Sequence, residues 1–491
     1  MQISFSNKPT KNSLLIYPIL EKGPIHNAFI RSLVQKLGRT IEFNRKAGEV
    51  FFTSAKTGSL PERIVLMCLP EEKKLTVADV METFGAATKT AAAHHSERVS
   101  ILLLPELFPF AESVIEAVSL ANYQPALAYK TGNSAKKLTE KIIKEIEVVG
   151  VGKNESVQRD LKKGILLASI ANETRDWVNA PPNYASTDFF NEKAKVISKE
   201  IGAKLTILRN KELTKLGMGA LLAVNRGSPE DASLVILDYL PKGANPKEAP
   251  LVFVGKGVVF DSGGYNLKPH GHIEDMQCDK AGASTILGLM SVLSGLGIKR
   301  RVVGVIPFTE NLIGKNALKP SEIIKSYAGK TIEITNTDAE GRLILADAIA
   351  YAIKEYKPKL LIDIATLTGA CMVALGDRYA GLFGNDETLI GQLLEAGKET
   401  DELLWHMPIH KNHSKAMKGQ YADLRNADIG SERHAGASKG AAFIKEFVKK
   451  TPWAHIDIAA PAFTTDPKKY ESKGATGFGL RVLARFLEKL E

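Results

Sequence analysis

Short apolar runs rich in β-branched residues alternate with alanine-rich helical stretches along most of this chain, and no other feature constrains its fold as strongly. In the first third, runs at 13–19, 63–69 and 100–104 are separated by helical patterns at 80–94 and 111–122. Strands interleaved with helices imply an α/β fold. At 491 residues the chain exceeds one ordinary core, so two domains are expected. The polar stretch 152–160 reads as their connection, dividing a smaller N-terminal α/β domain at 1–160 from a larger C-terminal α/β domain at 161–491. That second domain opens with a predicted helix at 161–178, which the tandem prolines Pro181 and Pro182 prevent from continuing. Its expected strands, at 204–208, 233–238, 250–255, 301–307, 331–334, 360–365 and 454–458, make a mostly parallel central sheet. Helices expected at 283–296, 345–355 and 438–449 flank it.

Composition narrows the function classes. With 44% hydrophobic and 24% charged residues the chain reads as a soluble globular protein, and it has no run near the roughly 18 apolar residues of a membrane span. The apolar patch after Lys11 is read as a first strand rather than a signal peptide. Cys68, Cys278 and Cys371 are too few and scattered for a disulfide framework, which fits reduced thiols in the cytoplasm. The segment 149–154 lacks the first glycine and the Ser/Thr of a phosphate loop and reads as a turn. A net charge of +10 favours anionic partners in general. No zinc finger, RNA-recognition signature or basic-aromatic stripe accompanies it, so DNA binding rests on charge alone.

Two segments carry chemistry. In 254–264 an apolar strand is interrupted by Lys256, resumes, and delivers Asp261 into a Ser-Gly-Gly turn, where paired glycines permit close approach or positive φ. Lys268 follows, and Asp279 stands just ahead of a helix. In 334–343, Asp338, Glu340 and Arg342 are two apart and would face one way in an extended segment. Side-by-side carboxylates repel unless a cation or proton lies between them. Four acids at the C-terminal ends of parallel strands suit a dinuclear centre. Oxygen-rich ligation of this kind leaves zinc, manganese, cobalt and magnesium open.

The strings VGKGVVFDSGG, CDKAGAS and NTDAEGRL, with Lys268 between the first two, resemble the signature segments of the leucyl aminopeptidases in order and spacing. DWVNAPPNYAS, DIATLTGA, ADLRNAD and GATGFG match as well, so the resemblance runs from about residue 161 to the end. It implies a metal-dependent enzyme that releases N-terminal residues, preferably leucine-like ones, from peptides. Lys256, Asp261, Asp279, Asp338 and Glu340 would ligate two divalent ions, manganese or zinc, with Asp261 and Glu340 bridging. Lys268 would stabilise the oxyanion, and Arg342 would hold a bicarbonate that relays a proton. Thr366, Leu367 and Gly369 would contact substrate backbone, and Met276 would line the side-chain pocket, with Ala459 and Ala462 more loosely aligned to it. The family is hexameric, and some members also bind DNA.

Departures are few. Lys280 stands where the family usually has methionine, adding a cation beside Asp279. Cys278 adjoins Asp279 but is not expected to ligate, and His270 and His272 read as a solvated loop. His406, His410 and His413 read as a surface cluster broken by Pro408. No serine triad is identifiable, and a two-metal phosphoesterase is the alternative reading.

Overall fold

The computed structural model describes residues 1–491 apart from 41, 57, 59, 126–128 and 429–433. The chain forms two compact units, Met1–Asn172 with Thr465–Lys473, and Glu173–Thr464 with Gly474–Glu491.

The first unit is built on β1 (Gln2–Ser6), β2 (Leu14–Leu20), β3 (Val50–Ser54), β4 (Arg63–Leu69), β5 (Arg98–Leu102) and β6 (Glu145–Val149), in the order β1-β6-β5-β2-β4-β3. Only β3 runs antiparallel to its neighbour. On α1 (Ala28–Arg39) Ile30, Val34 and Leu37 recur at helical spacing, while Leu15, Tyr17 and Ile19 recur with period two on β2, and these two faces bury against each other. The side chain of Asn27 caps α1 by accepting from Ile30 N at 3.1 Å. The helices α2 (Val77–Ala93) and α3 (Ala111–Ala121) pack together.

The polar stretch at 152–160 is not an irregular connection. The helix α4 (Glu155–Asn179) already starts inside it, with Asn154 Oδ1 accepting from Val157 N at 3.2 Å. Polar residues on a solvated helical face do not interrupt a helix, so composition alone gave a late start.

The second unit carries the larger sheet. Its strands are β7 (Lys204–Arg209), β8 (Ser233–Tyr239), β9 (Leu251–Gly255), β10 (Gly257–Asp261), β11 (Val302–Asn311), β12 (Leu360–Ala365), β13 (Tyr379–Gly384), β14 (Leu403–His406) and β15 (Trp453–Asp457). The order is β14-β13-β15-β12-β9-β11-β8-β7, with β10 paired to β11. The middle strands β15, β12, β9 and β11 run parallel. Their residues are buried on both faces, as parallel strands between helices require, with Asp363 on β12 and His455 and Asp457 on β15 buried among apolar neighbours. The expected strand at 331–334 forms instead as Thr331–Glu333 in a separate three-stranded sheet with Ile323–Lys325 and Leu424–Arg425. The strands β13 and β14 had no sequence signal strong enough to anticipate them: β13 is interrupted by Gly381 and β14 is only four residues long. Among the described residues no helix is long and apolar enough to cross a membrane, and all three cysteines are buried free thiols.

Behind the sheet ends, α6 (Gly341–Tyr356) carries a fully buried acid, Asp347. It accepts from Ala220 N, Leu221 N and Tyr327 N at 2.8–3.0 Å, tying three segments together. Burial pushes its carboxyl up to about 7, against these hydrogen bonds. A carboxyl raised on folding stabilises most below the ordinary carboxylate range, and that contribution falls as pH rises, levelling out above about 7. The urea midpoint of the wild type should therefore drop between about pH 5 and pH 8, and Asp347→Asn, which cannot ionise, should drop less steeply. Parallel slopes in the two proteins would mean that Asp347 does not titrate in this window.

Candidate metal centre

The central parallel strands deliver acidic and basic side chains to one end of the sheet, the end where α/β sheets carry their sites. Lys256 is the single residue between β9 and β10. Its Nζ lies 2.7 Å from Asp279 Oδ1 and 2.8 Å from Glu340 Oε1, and donates to the Thr366 carbonyl at 2.8 Å. Asp261 ends β10 opposite Asn311 of β11, and its Oδ1 accepts from Asn311 Nδ2 at 2.8 Å and from Gly263 N at 2.9 Å. A second ammonium, Lys268 Nζ, stands 2.8 Å from Asp261 Oδ2 and 2.6 Å from Asp338 Oδ1. Asp279 sits on the tight turn Met276–Lys280 that leads into α5 (Ala281–Val292). Its Oδ1 also accepts from Thr366 Oγ1 at 2.7 Å. Oxygens of Asp261, Asp338 and Glu340 lie within 4.8 Å of one another.

Two glycines allow this convergence. A Cβ on Gly341 would stand 2.8 Å from Lys256 Nζ and 2.7 Å from its Cε. One on Gly263, where φ is +86°, would stand 2.9 Å from Asp338 Oδ1. The segment bearing Asp338 and Glu340 is a turn running into α6 rather than the extended stretch expected, with Glu340 already helical at φ −79° and ψ −37°. The two carboxylates still meet. Arg342 enters the helix and donates from Nη1 to Asn426 O at 2.9 Å.

The electrostatics of the cluster are those of a site suited to cations. Burial raises the carboxyls of Asp261 and Asp279, and their acidic neighbours add to it. Burial, then Asp261 and Glu340, pushes Asp338 up to about 7. Burial also opposes ionisation of Glu340, but Lys256 and Lys268 overcome it and hold that carboxyl below its ordinary value. Both lysines are raised against the cost of burial by the surrounding acids. Asp279 Oδ2 and Glu340 Oε2 nevertheless remain buried without any donor. Asp338 Oδ1 has an ammonium beside it but off the hydrogen-bonding direction. Acceptor oxygens stranded in this way cost free energy unless a cation takes them. The donor set therefore fits hard or borderline divalent ions.

The remaining predicted residues fall around this cluster. Thr366 touches it directly, through Asp279 and Lys256. Leu367 and Gly369 follow on the same turn, and Gly369 opens α7 (Gly369–Leu375). Met276 shares the turn of Asp279. Cys278 is buried, and burial pushes its thiol up to about 12, a protonated state unsuited to ligation. His270 and His272 are exposed, and His270 pairs with Glu274. His410 caps the short helix Lys411–Ala416 at the surface. Lys280 turns away from the acids and donates to Ala180 O at 3.0 Å and Gln277 O at 2.6 Å. Asn311, Asn426 and Asp457 were not anticipated. Asn311 could have been found had β11 been extended past Pro307 to its true end beside Asp261.

The model of the cytosol aminopeptidase family, catalytic domain, matches residues 172–484. The chain belongs to the cytosol aminopeptidase family. It is 39% identical over 460 residues to a probable cytosol aminopeptidase of Brucella suis, covering 92% of this chain and 90% of that one. A probable cytosol aminopeptidase of Chlorobaculum tepidum is 43% identical over 365 residues, covering 73% and 71%. Among solved structures, the bottromycin maturation enzyme BotP in complex with Mn superposes with a TM-score of 0.84 at 28% identity, covering 98% of this chain and 100% of that one. The chain is thus a metal-dependent aminopeptidase of the leucyl aminopeptidase type, a hydrolase acting on peptides. In this aminopeptidase Asp279 and Glu340 share the ammonium of Lys256. Lys256→Met removes it, and should cost the chain about 3–5 kcal/mol in urea unfolding with a chelator present. An unchanged midpoint would show that the two acids are held neutral by other means.

Proposed function

We propose that this aminopeptidase works with two divalent ions, which Lys256, Asp261, Asp279, Asp338 and Glu340 would hold. The observation that carries this reading is the pair of donorless buried oxygens, Asp279 Oδ2 and Glu340 Oε2, inside a cluster of four acids. When bound, such ions supply an activated water and polarise the scissile carbonyl. Everything else falls to the chain's own groups. Lys256 must release its proton to ligate, and burial favours that release once the acids around it are neutralised by cations. Lys268 keeps a positive charge where the oxyanion develops. Arg342, buried at the head of α6 with Nε unpartnered, would hold a bicarbonate as proton carrier.

Thr366, Leu367 and Gly369 would dock substrate backbone, and Met276 would face an apolar, leucine-like first side chain. Manganese is the first metal to test, because the BotP structure is a complex with Mn; zinc is the second. Catalysis is assigned to the 161–491 region, in a cytoplasmic homohexamer as the family resemblance implies. A DNA-binding role has only the net charge of +10 behind it, and a salt-dependent mobility shift with duplex DNA decides it.

The full chain with manganese should release leucine from leucinamide and from leucyl peptides, and should leave N-acetylated peptides intact. Chelation should abolish turnover and metal should restore it. Asp338→Ala and Glu340→Ala should each lower kcat/KM by about 1,000-fold or more, roughly 4 kcal/mol of transition-state stabilisation. Cleavage of blocked peptides at the same rate, or full activity after chelation, would reject the two-metal reading.

A further inference from the structure

The turn 366–369 is fastened at two points. At its start, Lys256 Nζ donates to Thr366 O and Thr366 Oγ1 donates to Asp279 Oδ1, so it is tied to the acidic cluster. At its other end it is tied to one carboxylate, Asp457, the last residue of β15 and fully buried. Asp457 Oδ1 accepts from Leu367 N at 3.1 Å and Thr368 N at 3.4 Å, and Oδ2 accepts from Thr368 Oγ1 at 2.7 Å. The same Oδ1 accepts from Ala459 N at 3.1 Å. Thr368 in turn caps α7 through Cys371 N at 3.1 Å. Among the described residues, no hydrogen bond or ion pair joins Asp457 to the acids that would hold metal.

Behind Asp457, β15 is tied to β12 by an ionic contact. His455 stands two residues earlier on the same face of β15, with Nδ1 2.6 Å from Asp363 Oδ1. Trp453, two residues earlier again, donates from Nε1 to Asp363 Oδ2 at 2.7 Å. Burial opposes a charge on His455, but Asp363 and then Asp457 overcome it and raise its basicity. Arg342 also feels the charge of Asp457.

We infer that Asp457 is a positioning residue for the peptide reaction: one buried carboxylate sets both the 366–369 turn and the Ala459 wall at a fixed distance from the metal cluster. This inference rests on the reading of 366–369 as the peptide-docking turn. A carboxylate is suited to the task because it accepts four hydrogen bonds from two segments and donates none. Asparagine keeps the acceptor for the backbone N–H groups but presents an amide to Thr368 Oγ1.

The test uses the full chain and three readouts. Asp457→Ala should raise hydrogen exchange about tenfold over 366–371 and 458–462 while leaving 256–268 unchanged. Its manganese dissociation constant, by calorimetry, should stay within about threefold of wild type. On leucinamide its kcat/KM should fall about 100-fold, mainly through KM, with Asp457→Asn and Thr368→Val intermediate and Thr368→Ser near wild type. The inference is overturned if exchange over 366–371 does not change in Asp457→Ala and Asp457→Asn, or if manganese affinity falls as far as kcat/KM. Exchange and metal binding are read without turnover, so failure of the aminopeptidase reading appears separately, in the wild-type assay.

Discussion

The second unit is organised around one electrostatic demand: four carboxylates must share a buried site with only two ammonium groups to answer them. Were all six ionised, two negative charges would remain uncompensated. An ammonium 2.8 Å from a carboxylate gains about 6 kcal/mol at an effective dielectric constant near 20. Taking each ion out of water costs several kcal/mol, so the gain largely offsets desolvation and leaves little over. Lys256 and Lys268 therefore keep the cluster foldable without satisfying it. The unsatisfied remainder is what fits this cluster to divalent cations.

The fold meets that demand by geometry rather than by sequence proximity. Asp261 and Asn311 arrive on neighbouring parallel strands, Asp279 on the turn before α5, and Asp338 and Glu340 on the turn before α6. Around them a ring of neutral groups fixes the loops. Thr337 Oγ1 donates to Gly263 O at 2.6 Å, and Asn266 Oδ1 accepts from Thr337 N at 2.8 Å. Asn426 Nδ2 donates to Asn336 O at 2.6 Å, and its Oδ1 accepts from Thr335 N at 2.8 Å. Neutral donors and acceptors suit this task because they hold backbone without adding charge to a site already short of cations.

Much of this was legible in the residues. The alternating apolar pattern gave the α/β class and most central strands, because buried parallel strands read as unbroken apolar runs. The acids were visible because their spacing within 254–264 and 334–343 is local. Asp457 and Asn311 were not, because nothing in the chain near them says that they face segments 90 or 50 residues away. Glu340 shows the opposite case: the spacing argument placed it beside Asp338 for an extended strand, and the two converge through a turn into a helix.

Lys280 tests how far charge alone can be read from a sequence. Read from its letter alone, a cation beside Asp279 adds a seventh charge to the cluster. The side chain is fully buried, and burial pushes its ammonium down to about 7, only partly countered by Cys278 and Asp279. Its two hydrogen bonds, to Ala180 O and Gln277 O, require two N–H groups. A neutral amine has two. Lys280 can thus fasten the Pro181–Pro182 turn to the Met276–Lys280 turn in either protonation state, a link that methionine cannot make. Its place in the site is that of a hydrogen-bond donor that carries the loop of Asp279, and the charge that its letter suggests is not what holds it there.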